Sequence, residues 1–320
     1  MQNPTIKPTP PPTAGLSWRP ISAADLEAVT ELARACHLAD GGLPFLIQPV
    51  HLQHRYFPDA PGAAIGAFTP EGRLVACAAV YRSGDADTQE ARLVGQVRPD
   101  WRRRGIGTYL LHWSQEAARR LLAEATAVPR VLQIATESLT APADRLYRAH
   151  GFAPVFEELV MRYDLHLPLP DAALPPDVTL THWQPDLAEQ FFQAYDASFR
   201  DRPGFPGWSA AKWLAWIVDD DFRPEWSLLA LVAGEPVGFL IGAVEPPDGF
   251  VVQVGVTPVM RRQKLGSALL VEAMRRMKAD GAASTQLTVN ANNPGAIQTY
   301  TRLGFATIGR RARYEQRETV

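Results

Sequence analysis

Val97-Arg98-Pro99-Asp100-Trp101-Arg102-Arg103-Arg104-Gly105-Ile106-Gly107-Thr108-Tyr109-Leu110-Leu111 is the stretch that decides the fold. It reads as the end of a strand, a basic turn with glycines, and the opening of an amphipathic helix. At such a turn the first helical N–H groups have no partner within the helix, and the positive end of the helix dipole lies beside them. A diphosphate suits that spot. The same order returns as Val256-Thr257-Pro258-Val259-Met260-Arg261-Arg262-Gln263-Lys264-Leu265-Gly266-Ser267-Ala268-Leu269-Leu270, displaced by 256 − 97 = 159 positions. The repetition points to a duplicated domain built around a phosphate-bearing ligand.

The surrounding elements repeat as well. Leu16–Pro20 and Ala23–Cys36 form a strand and a helix, matched by Val178–Trp183 and Asp186–Phe199. Strand-like runs follow at Ala63–Phe68, Leu74–Tyr81 and Arg92–Arg98, matched by Leu228–Val232, Pro236–Val244 and Phe250–Thr257. After the turn, Leu265, Leu269, Ala273 and Met277 make one apolar stripe, as do Ile106, Leu110, Ala117 and Leu121. A strand (Val131–Thr136; Thr285–Val289) leads to a last helix. There Ala143, Tyr147, Gly151 and Phe152 match Ala296, Tyr300, Gly304 and Phe305, at an offset of 300 − 147 = 153. The shorter offset places extra residues of the first half near Leu121–Pro129. Two shared patterns at nearly one offset establish the duplication.

Composition sets the class. A chain of 320 residues has room for two ordinary domains, and 46% hydrophobic with 21% charged residues describes a soluble globular protein. A net charge of −2 argues against a nucleic-acid binder. Cys36 and Cys77 show neither metal-ligand spacing nor a disulfide framework, and no metal is expected. With no membrane-length apolar run and no secretory signal core, the expected location is the cytoplasm. Residues 1–14 are proline-rich and read as a disordered tail, and residues 166–177 as a stiff linker. The expected domains are therefore residues 15–165 and 178–320.

The order of strand, basic turn, helix, strand, tyrosine helix and Gly-Phe resembles the GNAT superfamily of acyl-CoA-dependent N-acetyltransferases. Both halves carry it, as in tandem members of that superfamily. Arg102, Gly105 and Gly107 fit its loop pattern Gln/Arg-x-x-Gly-x-Gly/Ala, and Arg261, Lys264 and Gly266 fit with a lysine at the first glycine. The downstream pattern Asn-x-x-Ala-x-x-x-Tyr-x-x-x-Gly-Phe is complete at Asn293, Ala296, Tyr300, Gly304 and Phe305, whereas Thr140 replaces the asparagine in the first half.

The resemblance implies an α/β (α+β) fold of two tandem domains, each a mixed, mostly antiparallel sheet of about six or seven strands flanked by helices. It implies acetyl-CoA as co-substrate, held in the first half by Val97, Arg102, Arg103, Arg104, Gly105, Ile106, Gly107 and Thr108. In the second half Val254, Val256, Arg261, Arg262, Gln263, Lys264, Leu265, Gly266, Ser267 and Asn293 take that part. Backbone at Val97, Val254 and Val256 would pair with the pantetheine amides like an added strand. A bulge near Gly95 and Gly255 would splay the strand and open a slot. Lys264 lacks glycine's backbone freedom and is expected to weaken the second loop's fit.

The reaction implied is direct attack of a neutral amine on the thioester carbonyl, with Tyr300, and Tyr147 in the first half, as candidate general acids. Core packing is the other reading of each tyrosine. The base is open among Glu245, Glu90, Glu137 and a water chain. Trp208, Trp213, Trp216, Phe222 and Trp226 cluster beside Asp219, Asp220 and Asp221. As a pocket wall they would suit a cationic amine, but one packed helix face with capping aspartates is the simpler reading. The acceptor expected is a primary amine of a small molecule or peptide, with no nucleic acid or membrane partner. Both halves are expected to bind CoA and the second to react. A non-catalytic acyl-CoA sensor or scaffold is the rival. A Rossmann dinucleotide enzyme is a poor reading, since neither loop has three glycines and a downstream acid.

Overall fold

The computed structural model describes residues 15–83, 89–123, 130–202, 205–245 and 247–318. The proposed tail at 1–14 and much of the extra segment before Pro129 lie outside them. The chain divides into two compact units, Met1–Leu159 with Ile308–Val320, and Val160–Thr307.

The first unit contains β1 (Ser17–Pro20), α1 (Leu26–Asp40), α2 (Pro49–Tyr56), β2 (Gly62–Phe68), β3 (Leu74–Ser83), β4 (Gln89–Val97), α3 (Ile106–Leu121), β5 (Arg130–Thr136) and α4 (Ala141–Ala149). Period-two alternation along β3 builds a core on each face. Ala76, Ala78 and Val80 pack with Ile106, Leu110 and Trp113 of α3, while Cys77 and Ala79 face Val29, Leu32 and Leu52 of α1 and α2. In α1, Val29, Leu32, Ala33 and Cys36 recur at three- and four-residue spacing and supply the buried stripe. The short α2 was not anticipated from the sequence.

From α4 the chain runs through β6 (Ala153–Asp164) into the second unit. This holds β7 (Val178–His182), α5 (Ala188–Phe199), α6 (Ala210–Ile217), β8 (Leu228–Val232), β9 (Glu235–Glu245), β10 (Asp248–Val256), α7 (Leu265–Ala279), β11 (Ser284–Asn290) and α8 (Pro294–Arg302). Leu265, Leu269, Ala273 and Met277 of α7 are all buried. Phe191, Tyr195 and Trp213 of α5 and α6 pack on Leu229, Phe239 and Ile241. The proline-rich stretch is anchored at its start, where the Pro168 carbonyl accepts from the Tyr163 hydroxyl at 2.5 Å and the Leu167 carbonyl from Lys278 at 3.0 Å.

The last strand, β12 (Ala306–Glu318), gives its residues from Ile308 onward to the first unit. There Ala312–Glu318 pair antiparallel with Thr136–Arg130 of β5, completing the order β1-β2-β3-β4-β5-β12. The second unit has the order β6-β11-β10-β9-β8-β7, and Val160 to Asp164 of β6 belong to it. Residues 160–165 and 308–320 thus fall on opposite sides of the division from the expected 15–165 and 178–320. Each sheet is mixed and mostly antiparallel, with β4–β5 and β10–β11 as the parallel pairs.

Candidate active site

Both sheets fork at the strand that leads to the basic turn. In the first unit β4 pairs with β5 only from Gln89/Arg130 to Leu93/Ile134, leaving Val94–Val97 apart from Ala135 and Thr136. In the second, β10 pairs with β11 only from Gly249/Thr285 to Val251/Leu287. Antiparallel ladders alternate bonded and non-bonded pairs. Arg98 N–H bonds to Val75 and Thr257 N–H to Val237, so the main-chain groups of Gly95, Val97, Val254 and Val256 turn away from β3 and β9 and into the forks. β10 carries a bulge at Val252, three residues before the expected Gly255, and β4 pairs with β3 without one. Gly255 is needed for another reason: a Cβ there would stand 2.5 Å from Phe239.

At the open end of each fork the two turns have one backbone shape. Arg103 and Gly105 take left-handed φ angles of 59° and 80°, and Arg262 and Lys264 take 65° and 62°. Lys264 therefore keeps the turn its glycine counterpart makes, at a cost of about 1 kcal/mol. Among the described residues, the N–H groups of Arg103, Arg104, Gly105, Ile106, Gly107 and Thr108 take no hydrogen bond, nor do those of Arg262, Gln263, Lys264, Leu265, Gly266 and Ser267. Each set of N–H groups lines a helix start, the arrangement that suits an anion. Gly107 and Gly266 hold the first helical turn bare, their nearest neighbours being single side-chain carbons 3.5 Å from a Cβ.

The arginines divide their work. Arg102 donates through Nε to the Val97 carbonyl at 3.0 Å and through both terminal nitrogens to Asp40. Arg261 likewise reaches the carbonyls of Val256 at 3.4 Å and Ser198 at 3.0 Å. These two cations hold the turn against the strand end. Arg104 lies over the Trp101 ring and donates to the Asp100 carbonyl, and Gln263 donates to the Val259 carbonyl. Arg103, Arg262 and Lys264 are exposed.

Asn293 is the N-cap of α8, its side chain accepting from Ala296 N–H at 3.2 Å. Thr140 caps α4 in the same way, accepting from Ala143 N–H at 3.3 Å. The two motif residues thus share a helix-starting role. Tyr300 stands half-buried on α8 against Phe305, and burial pushes its hydroxyl up to about 12. Tyr147 packs on the first unit's core with its ring 5.1 Å from Tyr314.

Of the sequence-level candidates for a base, Glu90 and Glu245 stand away from the forks, and Glu137, next to the β5 prong, is held in an ion pair. Glu90 lies in the zipped part of β4, opposite Val131. Glu137 pairs with Arg311 at 3.0 Å. Glu245 pairs with Asp248 at the far end of β10 from the turn. The aromatic cluster divides in two. Trp213, Phe222 and Trp226 are core, with Trp213 Nε1 donating to Gln253 at 3.0 Å and Trp226 Nε1 to Asp280 at 2.6 Å. Trp208 and Trp216 instead line a cavity of about 150 Å³ with Tyr195, Phe199, Arg202, Phe205 and Gln253. Asp219 accepts the N–H groups of Asp221 and Phe222 in a local turn, and among the described residues no aspartate lines that cavity. Sequence reasoning missed Asp40, Arg55 and Gln253. The Leu52–Tyr56 spacing of α2 was the signal available for the helix that carries Arg55. Among the described residues no cluster of His, Cys, Asp or Glu could hold a metal ion.

Comparison with known proteins agrees with this geometry. The acetyltransferase (GNAT) family model matches residues 184–305, and an acetyltransferase (GNAT) domain model matches residues 64–154. A mycothiol acetyltransferase of Parafrankia sp. (strain EAN1pec) is 30% identical, covering 91% of this chain and 94% of the relative. One from Paenarthrobacter aurescens (strain TC1) is 31% identical, covering 88% of each. A GCN5-related N-acetyltransferase from Sphaerobacter thermophilus superposes with a TM-score of 0.73 at 26% identity, over 94% of this chain and 95% of that one. A tandem GNAT protein from the clavulanic acid biosynthesis pathway shares the fold at a TM-score of 0.61 and 18% identity, over 94% of this chain and 98% of that one. With one such domain in each half, the chain belongs to the GNAT family and is a tandem N-acetyltransferase that moves an acetyl group to an amine.

Proposed function

We propose that the second unit carries out the transfer from acetyl-CoA to a primary amine of a small molecule, and that both basic turns hold a CoA diphosphate. The observation that carries the reading is the coincidence, in one unit, of a turn whose N–H groups converge at a helix start, a forked strand pair, a bulge at Val252 and a half-buried tyrosine. Bound acetyl-CoA supplies an electrophilic thioester carbonyl, at which a C–N bond forms and the C–S bond breaks. Main-chain groups of Val254 and Val256 align the pantetheine arm, and Arg262 and Lys264 add charge at the diphosphate.

Tyr300 keeps its proton at neutral pH, so it serves as a donor to the departing sulfur. Full transfer from a phenol near 12 to a thiolate of ordinary pKa, about 8.5, runs uphill by several kcal/mol, so a hydrogen bond is its contribution. Among the described residues no carboxylate lines the cavity beside Gln253, and the amine proton leaves to water. The aromatic lining and Arg202 favour an acceptor with an apolar or aromatic body over a plain polyamine. A small-molecule acceptor also accords with relatives named mycothiol acetyltransferase. The test is acetyl-CoA-dependent thiol release over a panel of primary amines, with mass spectrometry of the product. Release with an acetylated amine supports the proposal. Acetyl-CoA binding without release for any amine contradicts it and leaves the protein a sensor.

A further inference from the structure

The fork of the first unit is not empty. Arg55, at the end of α2, donates from Nη2 to the Ala135 carbonyl at 2.9 Å. Ala135 is the first β5 residue beyond the last β4 pair, so the guanidinium lies where the strands part. The neighbouring Tyr56 fixes the helix to the other prong, its hydroxyl accepting from Gln96 Nε2 of β4 at 2.8 Å. The charge on Arg55 also counteracts part of the upward effect of burial on the Tyr147 hydroxyl. The second unit has nothing comparable, for no side chain donates to the carbonyls of Thr288, Val289 or Asn290 among the described residues.

With a diphosphate on the turn and the pantetheine arm paired along the open edge of β4, the acyl group would point to the inner end of the fork. A guanidinium there offers nothing to a methyl group and costs desolvation if covered by one. Among the described residues Ala135 is the one hydrogen-bond acceptor Arg55 has, leaving its remaining donors for a planar anion.

We propose that the first unit is a binding site for a CoA thioester whose acyl group ends in a carboxylate, with Arg55 as the residue that selects it. This rests on the reading that the turn at Arg103–Thr108 holds a CoA diphosphate. The site binds without reacting, the transfer being the second unit's.

The test uses full-length protein carrying Gly266→Glu, which silences the second turn, titrated calorimetrically with CoA, succinyl-CoA and the neutral, length-matched butyryl-CoA. Succinyl-CoA is expected to bind about tenfold more tightly than butyryl-CoA. Arg55→Gln should abolish that difference with CoA affinity unchanged, and Arg55→Lys should retain only part of it. Melting curves establish that the variants fold. Equal affinities for the two esters, or a preference that survives Arg55→Gln, overturn the proposal alone. CoA binding with neither ester binding also overturns it and makes Arg55 a plug. Absence of any CoA binding overturns it together with the reading of the first turn.

Discussion

Arg102 grips Asp40 with both ends of its guanidinium, at 2.7 and 2.6 Å, across 62 positions of sequence. The arginine that opens the loop motif is thereby tied to the end of α1. Its Nε also holds the Val97 carbonyl, so one side chain ties together α1, the end of β4 and the turn. Arg261 acts alike on Val256 and Ser198. In both units the first motif cation shapes the turn, and in the reading proposed above the main chain that follows holds the diphosphate.

Asp40→Asn should therefore loosen the first turn without touching the second unit's chemistry. Arg102 is about a third exposed (32%), which keeps the expected stability loss near 1 kcal/mol. Acetyl-CoA affinity of the first unit, measured in the Gly266→Glu background, should fall several-fold. Thiol release by the protein with an intact second turn should be unchanged.

Tyr300→Phe should lower kcat by about 100-fold and leave KM for acetyl-CoA nearly constant, because the hydroxyl acts on the departing sulfur and not on the diphosphate. Tyr147→Phe should leave turnover alone. With Tyr300 protonated up to about 12 and no side-chain base, kcat/KM for the amine should climb about tenfold per pH unit below the amine's own pKa. A falling limb between pH 8 and about 10 would show that a group other than Tyr300 donates to the departing sulfur.

Glu245 offers a pH test of stability. Burial, with Asp221 and Asp219 adding repulsion, raises it from 4.5 to about 7. Between those values the folded protein holds a proton that the unfolded chain has lost. Its contribution is complete below pH 4.5 and disappears as the pH rises through about 7. Glu245→Gln should raise Tm at pH 8, change it little at pH 5, and leave acetyl transfer intact. A large drop in turnover would instead restore Glu245 as the base.

The exchanged strand predicts a folding dependence. Tyr314 of β12 is fully buried in the first unit, donates to Asp144 and packs on Tyr147. A chain ending at residue 307 loses this side chain and all β12 pairing with β5, a loss above about 4 kcal/mol. Hydrogen exchange should then find β4 and β5 unprotected at room temperature. Retained protection would mean that the first unit closes its sheet without β12.

Much of this was legible in the residues. Both turns, the order of elements and the two tyrosine helices follow from glycine placement, apolar period and the 159-residue repeat, all local signals. What stayed hidden is long-range. An apolar run after Gly304-Phe305 says that a strand follows, not that its later residues pair with Arg130–Thr136. Arg102 reads only as a cation of the loop motif and Arg55 goes unread because nothing local pairs them, and their partners Asp40 and Ala135 lie 62 and 80 positions away. The bulge at Val252 escaped because the apolar run Phe250–Val252 carries no glycine to mark it.

The central claim is that the second unit, through its own cradle, performs the transfer. Gly107 and Gly266 are equivalent positions with ordinary φ and room for a side chain, so Gly107→Glu and Gly266→Glu each place a carboxylate in one anion site without straining the fold. Acetyl-CoA-dependent thiol release, measured on both variants with the same amine, tests the claim directly. The account predicts that Gly266→Glu abolishes release and Gly107→Glu leaves it largely intact. Release that survives Gly266→Glu and vanishes in Gly107→Glu would contradict it.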